Sequence, residues 1–211
     1  MQPAIPIKLY RNILSGHAHR AELFLSLLGL PYTAIDVDLR TGQQKEPEFL
    51  TLNPFGQVPV IDDNGTVVAD SNAILVYLAA RYGDEHWLPR NAVGAANVQR
   101  WLSVAAGEIA FGPAVARMGK RFGMPVDTES AARRAESLFT VMESVLQTRP
   151  FLTGEHITIA DIACYSYIAR ASEGEIALEP YPALRTWLGR IETLPRFVPM
   201  IELPSPNANA A

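Results

Sequence analysis

The stretch NPFGQVPVIDDNGTVVADSNAILVYLA, residues 53–79, contains the signals for two strands, a tight turn and a helix. VPVID and TVVA are short apolar runs, and Asn64-Gly65 between them is a typical hairpin dipeptide because both residues tolerate positive φ. A helix is expected from Ser71 to Gly83, with Ser71 as its N-cap and Asp70 favouring the helix dipole. Its apolar face comprises Ile74, Leu75 and Leu78. The stretch predicts a β-hairpin followed by an amphipathic helix.

The residues before this stretch predict a strand, a helix and a second strand. IPIKLY is strand-like, and a helix is expected from Ala18 to a left-handed cap at Gly29. YTAIDVDL, residues 32–39, alternates and predicts the second strand. The apolar faces comprise Ala21, Phe24, Leu25 and Leu28 in the helix, and Thr33, Ile35, Val37 and Leu39 in the strand. This strand–helix–strand order within the first forty residues predicts a parallel strand pair with the helix laid across it. Residues 40–56 are expected to form an irregular polar loop.

The remainder of the chain has helical periodicity. Three apolar stripes predict helices: Val98, Trp101, Leu102, Ala105 and Ile109; Ala135, Leu138, Phe139, Met142 and Leu146; Leu184, Trp187, Leu188 and Ile191. Pro113 is expected to kink or end the first helix, and Pro182 to open the third. Thr158 and Asp161 predict a capping box. We expect an α/β domain at residues 1–83, a linker at 84–91 and an all-helical domain at 92–211, with a disordered tail PSPNANAA.

Composition restricts the possible functions. The net charge is −4 and no Lys/Arg-rich run is present, which argues against a nucleic-acid partner. Cys164 is the only cysteine, so neither an internal disulfide nor a CxxC site is available, as expected in a reducing cytoplasm. No signal peptide is recognisable, and the apolar runs are too short to cross a bilayer. We expect a soluble intracellular protein.

Three short segments have the residue types of a ligand site. Val58-Pro59 is either an ordinary edge-strand proline or a cis peptide that would turn the Val58 backbone towards an extended ligand. Asp70-Ser71 caps a helix, and a helix N-terminus beside a carboxylate also suits the charged end of an α-amino acid. Ser15, in LSGHAHR, is either an N-cap or a hydroxyl that donates to a thiolate, and no GxSxG elbow surrounds it.

These segments resemble the cytosolic glutathione transferases. NPFGQVPVI and DSNAILVYLA are similar to the loop, strand and helix of the family's glutathione-binding domain. LSGHAHR resembles serine-type, bacterial-like members, in which an arginine follows the serine as Arg20 follows Ser15. TGEHITIADIA resembles the capping-box helix of the second domain. The resemblance implies an α/β thioredoxin-like N-terminal domain followed by an all-α helical-bundle C-terminal domain.

The resemblance also implies a role for each glutathione-binding residue. Pro59 would be the family's cis-proline, and Val58 would pair by its backbone with the cysteinyl part of glutathione. Gln57 would contribute its side chain. Asp70 and Ser71 would hold the γ-glutamyl end, although many members have Glu in place of Asp70. Two further residues would meet the glycyl carboxylate: Lys45, for which a solvated loop lysine is the alternative, and Gln44, the weaker candidate.

Ser15 would be the catalytic residue that stabilises the glutathione thiolate. Tyr10 is the alternative, but it lies within the strand run, where a core position is expected. The first domain has no cysteine, which excludes the family's cysteine-type members and argues against glutaredoxin-like or dehydroascorbate-reductase activity. His17 and His19 lie beside the site and are expected to be surface histidines, with a contact to glutathione as the alternative.

The implied activity is conjugation of glutathione, as co-substrate, to small hydrophobic electrophiles, with no metal. The second substrate would lie between the domains, and its candidate contacts are Phe111, Met118 and Phe122, for which a core or dimer role is the alternative. Peroxidase or isomerase activity and non-catalytic ligand binding are the alternative functions. The resemblance also implies that the protein is a homodimer, that it is cytoplasmic and that it has a role in detoxification.

Overall fold

The structure is a computed structural model that describes residues 2–203, so the predicted disordered tail lies outside the described residues. The chain forms two compact units. One contains the described residues up to Ala95 together with Glu192–Met200, and the other contains Ala96–Ile191 and the described residues from Ile201 onward. A segment near the C-terminal end of the chain therefore belongs to the first unit.

The first unit is built on a four-stranded sheet in the order β2-β1-β3-β4. The strands are β1 (Ile7–Arg11), β2 (Tyr32–Asp36), β3 (Val60–Asp63) and β4 (Thr66–Ala69). β1 and β2 are parallel, whereas β3 is antiparallel to both β1 and β4. The predicted parallel pair and hairpin are confirmed, with φ of 51° at Asn64 and 90° at Gly65. β2 ends at Asp36, three residues before the predicted end of this strand.

Three helices accompany the sheet: α1 (Gly16–Leu27), α2 (Pro47–Leu52) and α3 (Ser71–Tyr82). α1 begins two residues before the predicted start because Ser15 is its N-cap. Its end is followed by Gly29 at φ 64°, as predicted. β1 has Ile7 and Leu9 fully buried, in keeping with the alternation of a strand that packs one face into the core.

The prediction of an irregular loop at residues 40–56 is wrong. A 3₁₀ turn at Gln43–Lys45 leads into α2, which has Pro47 at its start. Proline suits the first helical position because its missing N–H has no intrahelical partner there. α2 places Phe49 in a buried cluster with Val37 and Val60. A six-residue helix has too few turns to produce a clear periodic pattern, so packing of Phe49 decides its formation.

The second unit is helical. Its elements are α4 (Ala92–Val104), which begins in the first unit, a π-helical segment (Ala105–Ile109), α5 (Pro113–Phe122), α6 (Thr128–Leu146), α7 (Ile159–Ala169), a 3₁₀ turn (Ala171–Gly174) and α8 (Pro182–Glu192), whose last residue belongs to the first unit. All residues of the three predicted apolar stripes are buried. Pro113 and Pro182 are the first residues of α5 and α8, as a proline that opens a helix should be. None of the helices within residues 2–203 is long and apolar enough to span a membrane.

The predicted capping box at the start of α7 is confirmed. The buried Asp161 carboxylate accepts hydrogen bonds at 2.9 Å from each of three donors, the backbone N–H groups of Thr158 and Leu152 and the Trp187 indole. Burial raises the pKa of Asp161, and these hydrogen bonds act in the opposite direction. One side chain therefore joins α7, α8 and the turn before α7.

We expect Asp161→Ala to lower the free energy of unfolding by at least about 3 kcal/mol, because three buried donors lose their acceptor. Asp127→Ala is the matched control: Asp127 is the exposed N-cap of α6 and accepts from one amide, Ser130 N–H at 2.9 Å. That loss should cost about 1 kcal/mol. Urea unfolding followed by circular dichroism measures both values, and equal losses would contradict this account of Asp161.

Candidate functional site

The strand register brings the candidate segments to one edge of the sheet. Val60, at the start of β3, pairs with Tyr10 near the end of β1 and with Ala69 at the end of β4. β2 is parallel to β1 and ends at the same edge. The Ser15 loop, the 3₁₀ turn after β2, Val58-Pro59 and Asp70-Ser71 therefore all leave the sheet on one side.

The Val58-Pro59 peptide bond is cis, and the pairing of Val58 with an extended ligand stays a prediction. Val58 is half-buried, and within residues 2–203 no hydrogen bond engages its backbone N–H or C=O. Asn53 shapes the preceding loop: its buried side chain donates to Gln57 O at 2.8 Å and accepts from Phe55 N–H at 3.1 Å. Asn53 was not predicted from the sequence, although Asn before proline is a known turn signal.

Asp70, not Ser71, is the N-cap of α3. Asp70 Oδ1 accepts from Asn72 N–H at 2.9 Å and from Ala73 N–H at 3.0 Å, and Asp70 has φ 76°. The prediction that Ser71 caps this helix is wrong, because the longer-reaching carboxylate already accepts both amides. Ser71 is the first helical residue, and its hydroxyl is directed to other partners.

Ser71 is part of a buried cluster with two side chains of α1. Arg20 Nη1 lies 3.3 Å from Ser71 Oγ and 3.0 Å from His17 Nδ1, and His17 Nδ1 lies 3.5 Å from Ser71 Oγ. Arg20 is 1% exposed and Ser71 is 3% exposed. The N-terminal turns of α1 and α3 are thereby joined through polar side chains.

The prediction that His17 and His19 are surface histidines is wrong for His19. His19 is buried, and its Nε2 lies 2.8 Å from Val198 O, in the C-terminal segment that belongs to the first unit. His17 is half-buried, and desolvation of its ring together with the neighbouring Arg20 charge lowers the pKa of His17 to about 3. The imidazole of His17 is therefore neutral at physiological pH.

Ser15 is the N-cap of α1, where its Oγ accepts from Ala18 N–H at 3.2 Å. Accepting this bond leaves the hydroxyl hydrogen able to donate. Ser15 is half-buried and lies at the positive end of the helix dipole. Both features favour an anion next to the hydroxyl.

Lys45 and Gln44 lie on the 3₁₀ turn that packs against the loop containing Phe55 and Gly56. Lys45 is exposed, and its Nζ donates to Phe55 O at 2.9 Å. Gly56 has φ 58°, and a Cβ at this position would lie 2.7 Å from Gln44 O and 2.8 Å from Lys45 Nζ. Glycine is therefore required, and it lets the turn that carries Lys45 approach the Val58-Pro59 loop closely.

The other predicted residues have clear positions. Tyr10 packs against the Phe49 cluster, as expected for a core residue, with ring centroids 6.3 Å apart. In the second unit, Phe111, Met118 and Phe122 are 63%, 38% and 41% exposed, which excludes the core role that was their alternative. No group of three or more His, Cys, Asp or Glu side chains suited to a metal ion occurs in the part of the chain that the structure describes.

Comparison with known proteins gives the family. The sequence model of the glutathione S-transferase N-terminal domain matches residues 14–81, and that of the C-terminal domain matches residues 110–195. Glutathione S-transferase 3 of Zea mays is 32% identical over an alignment that covers 98% of this chain and 99% of that protein. The chain belongs to the cytosolic glutathione S-transferase superfamily.

Two further members of the superfamily are informative. The disulfide-bond oxidoreductase YfcG of Escherichia coli strain K12 is 31% identical, with 85% of this chain and 87% of that protein covered. A glutathione transferase homologue from Drosophila mojavensis, solved with bound glutathione, has a TM-score of 0.81 and 28% identity. That comparison covers 90% of this chain and 89% of the homologue. The thioredoxin-like domain and the helical domain predicted from the sequence agree with this fold family.

The lowered pKa of His17 makes a prediction about stability. The unfolded imidazole titrates near pH ~6.5 and the folded one near pH ~3, so the unfolded state binds the proton first as the pH falls. The contribution of His17 to stability is present above about pH 6.5 and is lost as the pH falls towards 3. Between pH 7 and pH 5, the free energy of unfolding of the wild type should fall by about 2 kcal/mol more than that of His17→Asn. Urea unfolding at each pH measures both values.

The exposed His156→Asn is the matched control for this measurement. It should show the same pH dependence as wild type. If His17→Asn and His156→Asn follow the same curve, His17 is not held neutral in the folded protein.

Proposed function

We propose that this protein is a glutathione transferase that joins the thiolate of glutathione to small hydrophobic electrophiles. The proposal is based on one observation: three groups that could bind different parts of glutathione lie together at one edge of the sheet. The unpaired backbone of Val58 suits the cysteinyl part, the start of α3 suits the γ-glutamyl end, and Ser15 suits the thiolate. The solved homologue with bound glutathione supports the same ligand.

In the proposed site, the backbone N–H and C=O of Val58 pair with the cysteinyl residue as an added strand would. Ser71 donates to the γ-glutamyl carboxylate at the N-terminus of α3, while Asp70 attracts the ammonium of the same group. The exposed Gln57 contacts the tripeptide with its side chain. Lys45 meets the glycyl carboxylate, and Gln44 lies beside it.

Ser15 then stabilises the reactive form of the thiol. A free thiol titrates near pH ~8.5, so only a small fraction is thiolate at neutral pH. A hydrogen bond from the Ser15 hydroxyl and the dipole of α1 both favour the anion. A shift of roughly two units, worth about 2.7 kcal/mol, makes most of the bound thiol nucleophilic. The thiolate attacks the electrophilic carbon, a carbon–sulfur bond forms, and the leaving group departs with its electron pair.

We expect Ser15→Ala to lower kcat/KM for a model aryl halide with glutathione by on the order of 10- to 100-fold at neutral pH, because the thiolate loses its donor. Titration of the thiolate absorbance of bound glutathione should show a higher thiol pKa in this variant. Ser15→Thr keeps a hydroxyl and should retain most of the activity.

Because Ser15 also caps α1, its removal has a structural cost of about 1 kcal/mol. Asp127→Ala removes a comparable cap from α6 and has no place in the proposed site. It should leave turnover unchanged. If wild type binds glutathione but neither it nor Ser15→Ala turns over any of a panel of electrophiles and peroxides, the enzyme proposal fails and non-catalytic binding replaces it.

A second candidate, glutathione-dependent disulfide reduction, is favoured by the similarity to YfcG. Cys164 is completely buried, so the reacting thiols would both come from glutathione. One glutathione thiolate would attack the disulfide and release the first substrate thiolate. A second glutathione thiolate would attack the glutathione sulfur of the mixed disulfide, which forms oxidised glutathione and releases the second substrate thiolate. Unchanged activity of Cys164→Ala with a small disulfide substrate would agree with this route.

Lys45→Met tests the proposed contact with the glycyl carboxylate. It should raise KM for glutathione by about 3- to 10-fold and leave kcat unchanged, because the contact is equal in the ground and transition states. The effect should vanish for a glutathione analogue with a glycyl carboxamide. An equal rise for both ligands would instead assign Lys45 to holding the Phe55 loop.

The homodimer and the cytoplasmic location are part of this proposal and rest on the family resemblance. Sedimentation at micromolar concentration tests the first. A monomer would remove the dimer from the proposal without affecting the assignment of the glutathione site.

A further inference from the structure

The buried cluster at the start of α3, formed by Ser71, Arg20 and His17, contains a histidine that has no role in the proposed chemistry. His17 lies two residues after Ser15 in α1, and its Nδ1 lies 3.0 Å from Arg20 Nη1. A guanidinium has only donors, so His17 Nδ1 must be the acceptor of this hydrogen bond. The neutral ring consequently carries its proton on Nε2, and the tautomer is fixed by Arg20.

The same guanidinium nitrogen also donates to Ser71 Oγ, at 3.3 Å. Ser71 has one hydroxyl hydrogen, and its nearest side-chain acceptor here is His17 Nδ1 at 3.5 Å. That distance is long for an O–H donor, and the single lone pair of Nδ1 already accepts from Arg20 at a shorter distance. The Ser71 oxygen is therefore occupied as an acceptor while its hydrogen remains available to a ligand.

We propose that His17 is a positioning residue for a ligand carboxylate at the N-terminus of α3, and that it acts by orienting Arg20 towards Ser71. This inference rests on the proposed function, since the ligand is the γ-glutamyl end of glutathione. His17 does not touch the carboxylate. Its Nδ1 holds the guanidinium in place, Arg20 occupies the Ser71 oxygen, and Ser71 donates its hydrogen to the carboxylate.

The electrostatics of the cluster point to an anion of this kind. Arg20 brings a positive charge to within 3.3 Å of the first residue of α3, where the helix dipole is also positive. Because His17 is neutral, it fixes the guanidinium without adding a second positive charge or cancelling the first. A carboxylate that accepts from Ser71 benefits from both the hydrogen bond and the field.

Two variants distinguish the effect of losing the hydrogen-bond acceptor of His17 from the effect of changing the size of its side chain. His17→Phe keeps a ring but has no acceptor, whereas His17→Asn is smaller and keeps an acceptor oxygen near the position of Nδ1. Each is compared with wild type for binding of glutathione and of an analogue whose γ-glutamyl α-carboxylate is a carboxamide. Isothermal titration gives the dissociation constants, and the exposed His156→Asn serves as the matched control.

We expect His17→Phe to weaken glutathione binding by about tenfold and to change binding of the carboxamide analogue by less than about twofold. His17→Asn should recover glutathione binding to within about threefold of wild type. KM for glutathione should follow these changes, while kcat at saturating glutathione stays within about twofold. Ser71→Ala should show the same selective loss as His17→Phe. His17→Leu, which is close to Asn in size but has no acceptor, tests the inference if His17→Phe does not fold.

Three results would overturn the inference. They are an equal loss for both ligands in His17→Phe or, where that variant does not fold, in His17→Leu; no rescue by His17→Asn; or wild type that binds both ligands equally. In the last case glutathione binding and the transferase proposal still stand. A wild type that binds neither ligand overturns the proposed function itself and this inference with it.

Discussion

The pairing of Val60 with strands on both sides is the constraint on which the site depends. Because β3 is antiparallel to β1 and to β4, its first residue lies beside the last residue of β4 and the penultimate residue of β1. The residues that precede β3 and those that follow β4 and β1 must then leave the sheet together. Val58, Asp70 and Ser15 are separated by many residues in sequence, and this register alone brings them to one edge.

The elements predicted correctly from the sequence are those whose cause is local. Asn64-Gly65 fixes the hairpin through its own backbone preferences, and Gly29 ends α1 because a left-handed residue is needed there. The Thr158–Asp161 capping box is likewise contained within one turn. The helices of the second unit with long apolar stripes are predictable because their apolar residues recur at helical spacing over several turns.

The errors arose where a distant contact decides the outcome. α2 forms because Phe49 has a place against Val37 and Val60, and nothing in residues 40–56 shows that partner. The sequence predicts His19 at the surface, yet its side chain is buried and contacts Val198 O, 179 residues later. Polar side chains of α1 become buried where a segment from the C-terminal end of the chain covers the helix. The periodicity of the helix sequence gives no sign of that distant segment.

The start of α3 shows why a helix cap and a binding group are hard to distinguish in a sequence. Asp70 and Ser71 are both common N-cap residues, and only one of them satisfies the first free amides. Since Asp70 accepts from Asn72 and Ala73, the Ser71 hydroxyl is released from that task. It is then held instead by Arg20, a side chain from another helix. A local contact thus decides which residue caps the helix, and a tertiary contact decides which way the Ser71 hydroxyl is turned. The residue that a motif would assign to the cap becomes available for a ligand.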